Sequence, residues 1–554
     1  MKNLFLLTMI VLLCGCTSVD GSNENRGEKA AEKVNVSTPF FRGVNFTQWF
    51  ETSSARSIVF TTYTEQDFIN VKSMGADVVR LPIRMHDMTS GAPDYKFDPL
   101  FFQLLDQVVD WAEKHELYLI IDNHTFDPVA HVKPSIEQAL IPVWKQIAER
   151  YKNRTPYIIY EIFNEPHGIS ARVWGEIQGR VVKAIREIDP DRYIIVGGVG
   201  YNSIDELFNI PKYEFNNLIY TFHFYDPYLF THQGETWGSP PNLRNLRDLP
   251  FPGDIRPMPP VPPDLRGTWV EANLRHNYRR DASVPALTRQ MNKAVRFAND
   301  RGVPVFCGEF GVIMTNTKQE DRVRWYEAVT KLLDERGISR TSWDYYGAIG
   351  LFNTEGGGCF ESDLNVEVVK ALGFNPPPQR PAEKIRSSIT IFDHYASPLV
   401  RVTNWNCNID LYYPEGEKFL LNWNNAGQYG DLSFHFRRSI DWEYLASQGY
   451  ALVLTVKSDK PVNFGVRFTN HEIGGNIPWR AFSDINLVGD GKWLTLRLPL
   501  QQFTDQGAWL NSVQEWRPSE GKFVWEKVSS LSIVAEYGDI RGVNILFGNI
   551  KIDK

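Results

Sequence analysis

Eight short apolar, β-branched runs recur through the first two-thirds of the chain, each followed by a helix-like stretch. No other feature limits the fold so tightly. The runs span Gly43–Phe46, Val78–Ile83, Leu117–Asp122, Tyr157–Phe163, Tyr193–Val196, Leu218–Phe224, Val303–Cys307 and Thr341–Trp343. Most lie 25 to 41 residues apart, which is one βα unit each. No antiparallel hairpin signal falls between them. Eight such units predict an α/β fold in which a parallel (β/α)8 TIM barrel closes on itself. A doubly wound open sheet is the alternative, but no Gly-rich nucleotide turn follows the first run. A barrel takes about 250 residues, so 554 residues leave room for one smaller domain.

One spacing breaks the rhythm. Between Phe224 and Val303, a helix near Pro285–Arg301 is preceded by an insertion with nine prolines from Pro240 to Pro263. Proline fixes φ and removes a donor, so this segment is neither helix nor central strand. Because it follows a barrel strand, it is expected to rim the open face. Trp237 and Trp269 at its ends favour a packed rim over a disordered loop. After Trp343 the pattern stops, and Gly373-Phe374-Asn375-Pro376-Pro377-Pro378 reads as a stiff linker. Beyond it, runs such as Ala451-Leu452-Val453-Leu454-Thr455-Val456 and Trp493-Leu494-Thr495-Leu496-Arg497-Leu498 alternate with period two between turn residues. That is the pattern of an all-β sandwich. The expected domains are a barrel over 39–375, a linker over 376–384 and a sandwich over 385–554.

The first residues read as a targeting signal. Lys2 supplies the positive start, and Leu4 to Leu13 form an apolar run too short to span a bilayer. Leu13-Cys14-Gly15-Cys16 resembles a bacterial lipoprotein box with Cys16 as the lipidated residue. The expectation is a signal peptide over 1–16, a flexible tether over 17–38 and a lipid anchor in the bacterial cell envelope. Past the signal only Cys307, Cys359 and Cys407 remain, an odd and sparse set that makes no disulfide framework. A net charge of -7 gives no positive field for nucleic acid, so none is expected as a partner.

Two glutamates stand where a barrel opens, each just after an apolar strand. Glu165 follows Ile158-Ile159-Tyr160-Glu161-Ile162-Phe163 in Asn164-Glu165-Pro166, and Glu309 follows Val303–Cys307 in Gly308-Glu309-Phe310-Gly311. A pair of carboxyl groups can cleave a glycosidic bond, one protonating the leaving oxygen and the other meeting the oxocarbenium-like centre. Position alone selects them weakly among 66 acidic residues. Asp226, Asp344 and Glu161 are the rivals, and mid-strand Glu161 is expected in a buried pair inside the barrel. Asp122-Asn123-His124 has the composition of a metal cluster, but no second His or carboxylate at ligand spacing accompanies it.

Further strand ends carry Arg80 in Val78-Val79-Arg80-Leu81-Pro82 and His124 in Ile121-Asp122-Asn123-His124. They also carry His223 and Tyr225 in Phe222-His223-Phe224-Tyr225, and Trp343 in Thr341-Ser342-Trp343-Asp344. In that order, with Asn-Glu-Pro and Gly-Glu-Phe, they resemble the retaining glycosidases of clan A, and glycoside hydrolase family 5 in particular. The resemblance implies Glu309 as nucleophile and Glu165 as general acid/base. It gives Asn164 a bond to the sugar 2-hydroxyl, and puts Arg80 and Tyr225 around Glu309. His124 and His223 would contact substrate or shape the nucleophile's surroundings, and Trp343 would floor the sugar. It implies no cofactor and no metal.

Phe224-Tyr225-Asp226-Pro227 with Phe230-Thr231-His232-Gln233-Gly234 and Trp237 resembles a loop of cellulase-type members. The resemblance thus implies an endo-acting β-glycanase on β-1,4-glucan or a related plant β-glucan, with mannan, xyloglucan and mixed-linkage glucan open. Trp49, Trp237 and Trp269 are candidate further platforms for sugar rings. The sandwich resembles carbohydrate-binding modules in pattern, with a purely structural domain as the alternative. A catalytically dead glycan-binding lipoprotein and a transglycosylase using the same pair are the competing functions. The expected partners are β-linked polysaccharide and, through the anchor, a membrane, with the chain a monomer.

Overall fold

The computed structural model describes residues 32–554 apart from 61, 126–131, 239–240, 355–357, 382, 394–396, 413–419, 471–476 and 511–514. The expected signal peptide, Cys16 and most of the expected tether lie outside the described residues.

Eight strands close a parallel barrel in sequence order. They are β1 (Arg42–Asn45), β2 (Val78–Ile83), β3 (Tyr118–Asn123), β4 (Ile158–Glu161), β5 (Ile194–Gly197), β6 (Leu218–Phe224), β7 (Val305–Phe310) and β8 (Ser339–Ser342). β8 returns to β1 with Thr341 opposite Gly43. A Cβ on Gly43 would lie 1.8 Å from the Val78 carbonyl oxygen, so only glycine lets β1 approach β2 there. β2 and β6 are buried along their whole length, as expected where helices cover one face and the barrel interior the other.

Period two decides what fills the interior. Val78, Ile120, Ile159, Ile195, Ile219 and Phe306 form one apolar layer, closed from below by Phe40 edge-on to Phe306 at 5.1 Å. Two residues further along, the same inward faces carry Arg80, Asp122 and Glu161. The charged layer therefore sits directly on an apolar plug.

The surrounding helices pack by amphipathic stripe. Ala171–Arg186 buries Trp174, Ile177, Val181, Val182 and Ile185, and Ser170 caps its first turn. The helix expected near Pro285–Arg301 spans Val284–Arg301. Strand ends differ more. β7 continues to Phe310, so Glu309 lies inside a strand where Gly308 reads as a break in the sequence. β4 stops at Glu161, two residues short of Phe163, and β8 begins two residues earlier than expected.

The insertion after β6 is packed. Leu243, Leu246, Leu249 and Phe251 are buried. Buried Glu235 accepts the Leu243 N–H at 3.1 Å, and buried Gln233 accepts the Leu249 N–H at 2.9 Å. Asn316, beyond β7, donates to the carbonyls of Arg244 and Leu246 and fastens the segment to the open face.

The linker region is also fastened down. Asn375 N–H donates to the Met74 carbonyl, Arg380 N–H to the Glu361 carbonyl, and the Gln379 amide to the Phe360 carbonyl. It leads into two antiparallel sheets. One holds β9 (Ile389–Asp393), β11 (Asn408–Tyr412), β12 (Leu420–Asn424), β14 (Ala451–Ser458), β17 (Leu494–Pro499) and β21 (Asn544–Asp553). The other holds β10 (Val400–Trp405), β13 (Asp431–Phe436), β15 (Val462–Asn470), β16 (Arg480–Leu487), β18 (Thr504–Leu510), β19 (Glu515–Pro518) and β20 (Val528–Val534). Leu452, Leu454 and Val456 of β14 face Val466 and Phe468 of β15 in a common buried core, as the period-two runs require.

Barrel and sandwich share one continuous apolar cluster. Phe60 meets Phe392 at 6.4 Å, and Arg56 pairs with Asp410 at 2.7 Å. Arg437, just past β13, donates to the Thr62 carbonyl at 2.7 Å and to the Tyr346 hydroxyl at 3.1 Å, with its guanidinium over the Tyr346 ring. Each hydrogen bond from a charged group contributes roughly 1.5–3 kcal/mol. Arg437→Ala should therefore lower the thermal midpoint by several degrees in calorimetry while leaving the native circular dichroism unchanged. An unshifted midpoint would show that the contact contributes nothing.

Candidate active site

At the open end, one guanidinium organises the floor. Arg80 is fully buried and donates from Nε to Glu161 at 2.7 Å and from Nη1 to Glu309 at 2.8 Å. Nη2 donates to Asn164 at 2.9 Å and lies 3.0 Å from Asp122. Asn45 of β1 accepts from Nη1 at 3.0 Å, and its own amide donates to the Gly308 and Ser342 carbonyls. Glu161 is thus in the buried pair expected of it.

Two backbone devices aim the glutamates. In the register between β6 and β7, Phe222 faces Cys307 and His223 faces Glu309, so Gly308 is the extra residue of a bulge. A Cβ there would lie 3.0 Å from His223 Nε2, which keeps the position small. Glu165 has φ +43, the left-handed region that a non-glycine residue enters at a cost of order 1 kcal/mol. His167 Nδ1 lies 3.0 Å from the Glu165 carbonyl and supports that turn.

The carboxyl groups meet across His223. Its Nδ1 is 2.6 Å from Glu165 and 3.5 Å from Glu309. Tyr225 donates to the other oxygen of Glu309 at 3.0 Å. One ligand-type atom from each of Glu165, His223 and Glu309 lies within 4.8 Å of the others. These three residues have the donor set to hold a divalent cation, but Arg80 already places a positive charge on Glu309.

Burial raises Glu165 to about 7, against the pull of the His124, Arg80 and His167 charges. Burial lowers His223 to about 4, so its ring is neutral at pH 7. A neutral ring can accept a proton bond from protonated Glu165 or, as the other tautomer, donate one once Glu165 ionises. Burial works against the charged form of His124 as well, yet Asp122, bonded to its Nδ1 at 2.7 Å, raises it to about 9. His124 therefore stays cationic beside Asn164, 3.4 Å from its Nε2. Its ring stacks on Trp343 at 5.5 Å.

All eight barrel residues singled out in the sequence come together in one connected site. Of the rival acids, Glu161 lies in the floor on Arg80, and Asp344 and Asp226 are engaged elsewhere. Asp344 is buried and bonded to Thr47 and the Gly347 N–H. The charged neighbours of Asp226 are Asp281, Asp205 and Lys293. Trp49 is no platform: it is buried against Phe50, Tyr63 and Trp111. Trp237 and Trp269 are both half exposed, and Trp237 continues a line of rings from Tyr225 through His232.

Sequence reasoning missed Asn45, His167 and Tyr201. Asn45 ends β1 as the other site residues end their strands, a signal that was available. Tyr201, half exposed and stacked on His167 at 4.7 Å, stands in a loop after β5 that has no strand to mark it.

The chain is similar to known proteins in sequence and fold. The family model Cellulase (glycosyl hydrolase family 5) covers residues 37–348, more than half of the chain. Endoglucanase C of Acetivibrio thermocellus is 29% identical over 324 residues, 55% of this chain and 91% of that protein. Endoglucanase 3 of Fibrobacter succinogenes is 28% identical over 58% of this chain and 50% of its own length. The structure of the cellulose synthase subunit Z from Clostridioides difficile overlays 60% of this chain and 99% of its own with a TM-score of 0.50 and 25% identity. A hyperthermophilic endo-β-1,4-glucanase in complex with substrate overlays 60% of this chain and 97% of its own with the same score and identity. With the barrel, the paired glutamates and the match over residues 37–348, the chain belongs to glycosyl hydrolase family 5 and is a glycoside hydrolase.

Proposed function

We propose that the chain is a retaining, endo-acting β-glucanase that cleaves β-1,4-linked glucan or a related plant β-glucan by double displacement. The carrying observation is the closeness of Glu165 and Glu309 around one imidazole nitrogen. Retaining pairs stand roughly 5–5.5 Å apart and inverting pairs about 6.5–9.5 Å. One oxygen of each carboxylate lies within 4.8 Å of the other, which favours direct attack over a water held between a base carboxylate and the anomeric carbon.

Glu309 attacks the anomeric carbon while Glu165 gives its proton to the departing glycosidic oxygen. The first product leaves with that proton, and a glycosyl ester on Glu309 remains. Glu165, now ionised, takes a proton from water as the oxygen attacks the same carbon, and Glu309 is released. Asn164, fixed by Arg80, is set to bond the 2-hydroxyl, whose contacts tighten in the transition state. Trp343 floors the sugar. The endo pattern and the β-1,4 linkage rest on the endoglucanase relatives and on the line of rings Tyr225, His232 and Trp237. Cys16 anchors the chain by lipid in the cell envelope, a reading that rests on the sequence at Leu13-Cys14-Gly15-Cys16.

Glu309→Ala should lower turnover by more than about 10³-fold, the scale of losing an essential catalytic group. Polysaccharide binding should persist, and near-normal activity on every β-glucan would overturn the assignment. Glu165→Gln should cost about 10²–10⁴-fold on unactivated glucan and much less on aryl glycosides with good leaving groups. Equal losses on both would argue against an acid role.

The acid must be protonated to start the reaction, so activity should fall as pH rises through about 7. His124→Gln removes a cation that favours ionised Glu165. Its alkaline limb should therefore move to higher pH in kcat/KM profiles, and a shift to lower pH would contradict the electrostatics. Cys16→Ala should move the chain from the membrane fraction to the soluble one, and unchanged fractionation would remove the anchor.

A further inference from the structure

The sandwich turns one sheet face to solvent. Along β13, Leu432 and Phe434 enter the core, so Asp431 stands on the outer face. Along β15, Val466 and Phe468 enter it and Arg467 stands outside. Among the described residues, the barrel contacts of Phe60, Arg56 and Thr62 fall on β9, β11 and the turn after β13, away from Asp431 and Arg467.

A solvated sheet face ordinarily carries short polar side chains that bond to water. This one carries a connected network, in which Ser433 bonds Ser532 at 2.7 Å and Asp431 at 3.3 Å. Arg467 donates to Asp431 at 2.7 Å and lies 4.0 Å from Glu536, which accepts from Gln506 at 3.1 Å. Arg467 is only 9% exposed although it stands on an open face. Its Nε and the Gln506 Oε1 have no partner among the described residues. One is a donor and the other an acceptor, and both lie buried just beneath the floor that Asp431 and Glu536 border.

Aromatic rings border that floor. Trp405 stands directly opposite Asp431 in the β10–β13 register and is 61% exposed. Tyr537 follows Glu536 and is 54% exposed. Trp516 lies over Gly507, where a Cβ would come within 2.8 Å of the ring.

We propose that this face is a second, non-catalytic binding site for a neutral β-glucan chain. The ligand must offer donors and acceptors in alternation, carry no net charge to meet a floor of both signs, and present flat C–H faces to the rings. A sugar chain does all three. A polyanion would meet Asp431 and Glu536. The identity of the glycan rests on the reading of the barrel, but the existence of the site does not.

The test uses the full chain with Glu309→Ala, which keeps the glycan intact, in affinity electrophoresis through mixed-linkage β-glucan, xyloglucan, glucomannan and hydroxyethylcellulose. Adding Trp405→Ala and Tyr537→Ala should weaken retardation by about tenfold, about 1.4 kcal/mol. In the active chain the same pair should leave kcat/KM on short cello-oligosaccharides unchanged. Thermal midpoints check folding, and Trp516→Ala replaces either change that lowers them. Undiminished retardation overturns the inference, as does a parent that no glucan retards although the active chain cleaves one. The barrel reading survives both results. If no glucan is cleaved while retardation is present and lost in the variant, the site stands and the barrel reading falls.

Discussion

Arg80 is one positive charge in a fully dry position with Glu161, Asp122 and Glu309 all within 3.0 Å. A buried guanidinium alone would carry a desolvation cost of several kcal/mol, and three buried carboxylates would repel one another. Together they are tolerable, and the guanidinium's fixed fork leaves little freedom in where the partners stand. Glu309 is therefore positioned from β2 through a residue that is fully buried. Asn45 ties the same fork to the carbonyls of Gly308 and Ser342, so β1, β7 and β8 share the constraint. The barrel's interior alternation puts this layer on an apolar plug.

Glu165 and Glu309 differ because their neighbours differ. Glu309 is held by a guanidinium and a phenol. Glu165 has a neutral imidazole as its direct partner and cations only at one remove, so burial dominates and its proton is retained to about 7. The bulge at Gly308 creates that arrangement, since without the extra residue His223 would face Gly308 and not Glu309. A single glycine thus separates the chemistry of two identical side chains.

The barrel was legible because its signal is collective: eight apolar runs at βα spacing survive errors of two residues at any strand end. The site was legible for a related reason, since His124, Glu165, His223, Glu309 and Trp343 sit where strands open, with Arg80 one layer below them inside β2. Strand ends themselves were not. Gly308 reads as a terminator by propensity, yet tertiary pairing with β6 carries β7 on to Phe310. Trp49 shows the opposite failure. A tryptophan near an open face has no sequence mark that separates a platform from a core ring, and packing against Trp111 decided it. Tyr201 was invisible because its place depends on a stack with His167, a contact with no period.

The sandwich changes what the proline linker means. A tethered module acts through effective concentration, which a flexible spacer sets by its length. Here the residues after Gly373 are bonded to the barrel at Met74, Phe360 and Glu361, and the two domains share a core. Proline supplies stiffness that those bonds then fix in direction. Tyr346, three residues past Trp343, is held by Arg437 of the sandwich, so the segment that begins at Trp343 is tied to the other domain. Any glycan on the outer face is consequently presented in one orientation, and the gain it brings depends on geometry and not on reach. The same fastening makes the sandwich part of the barrel's support.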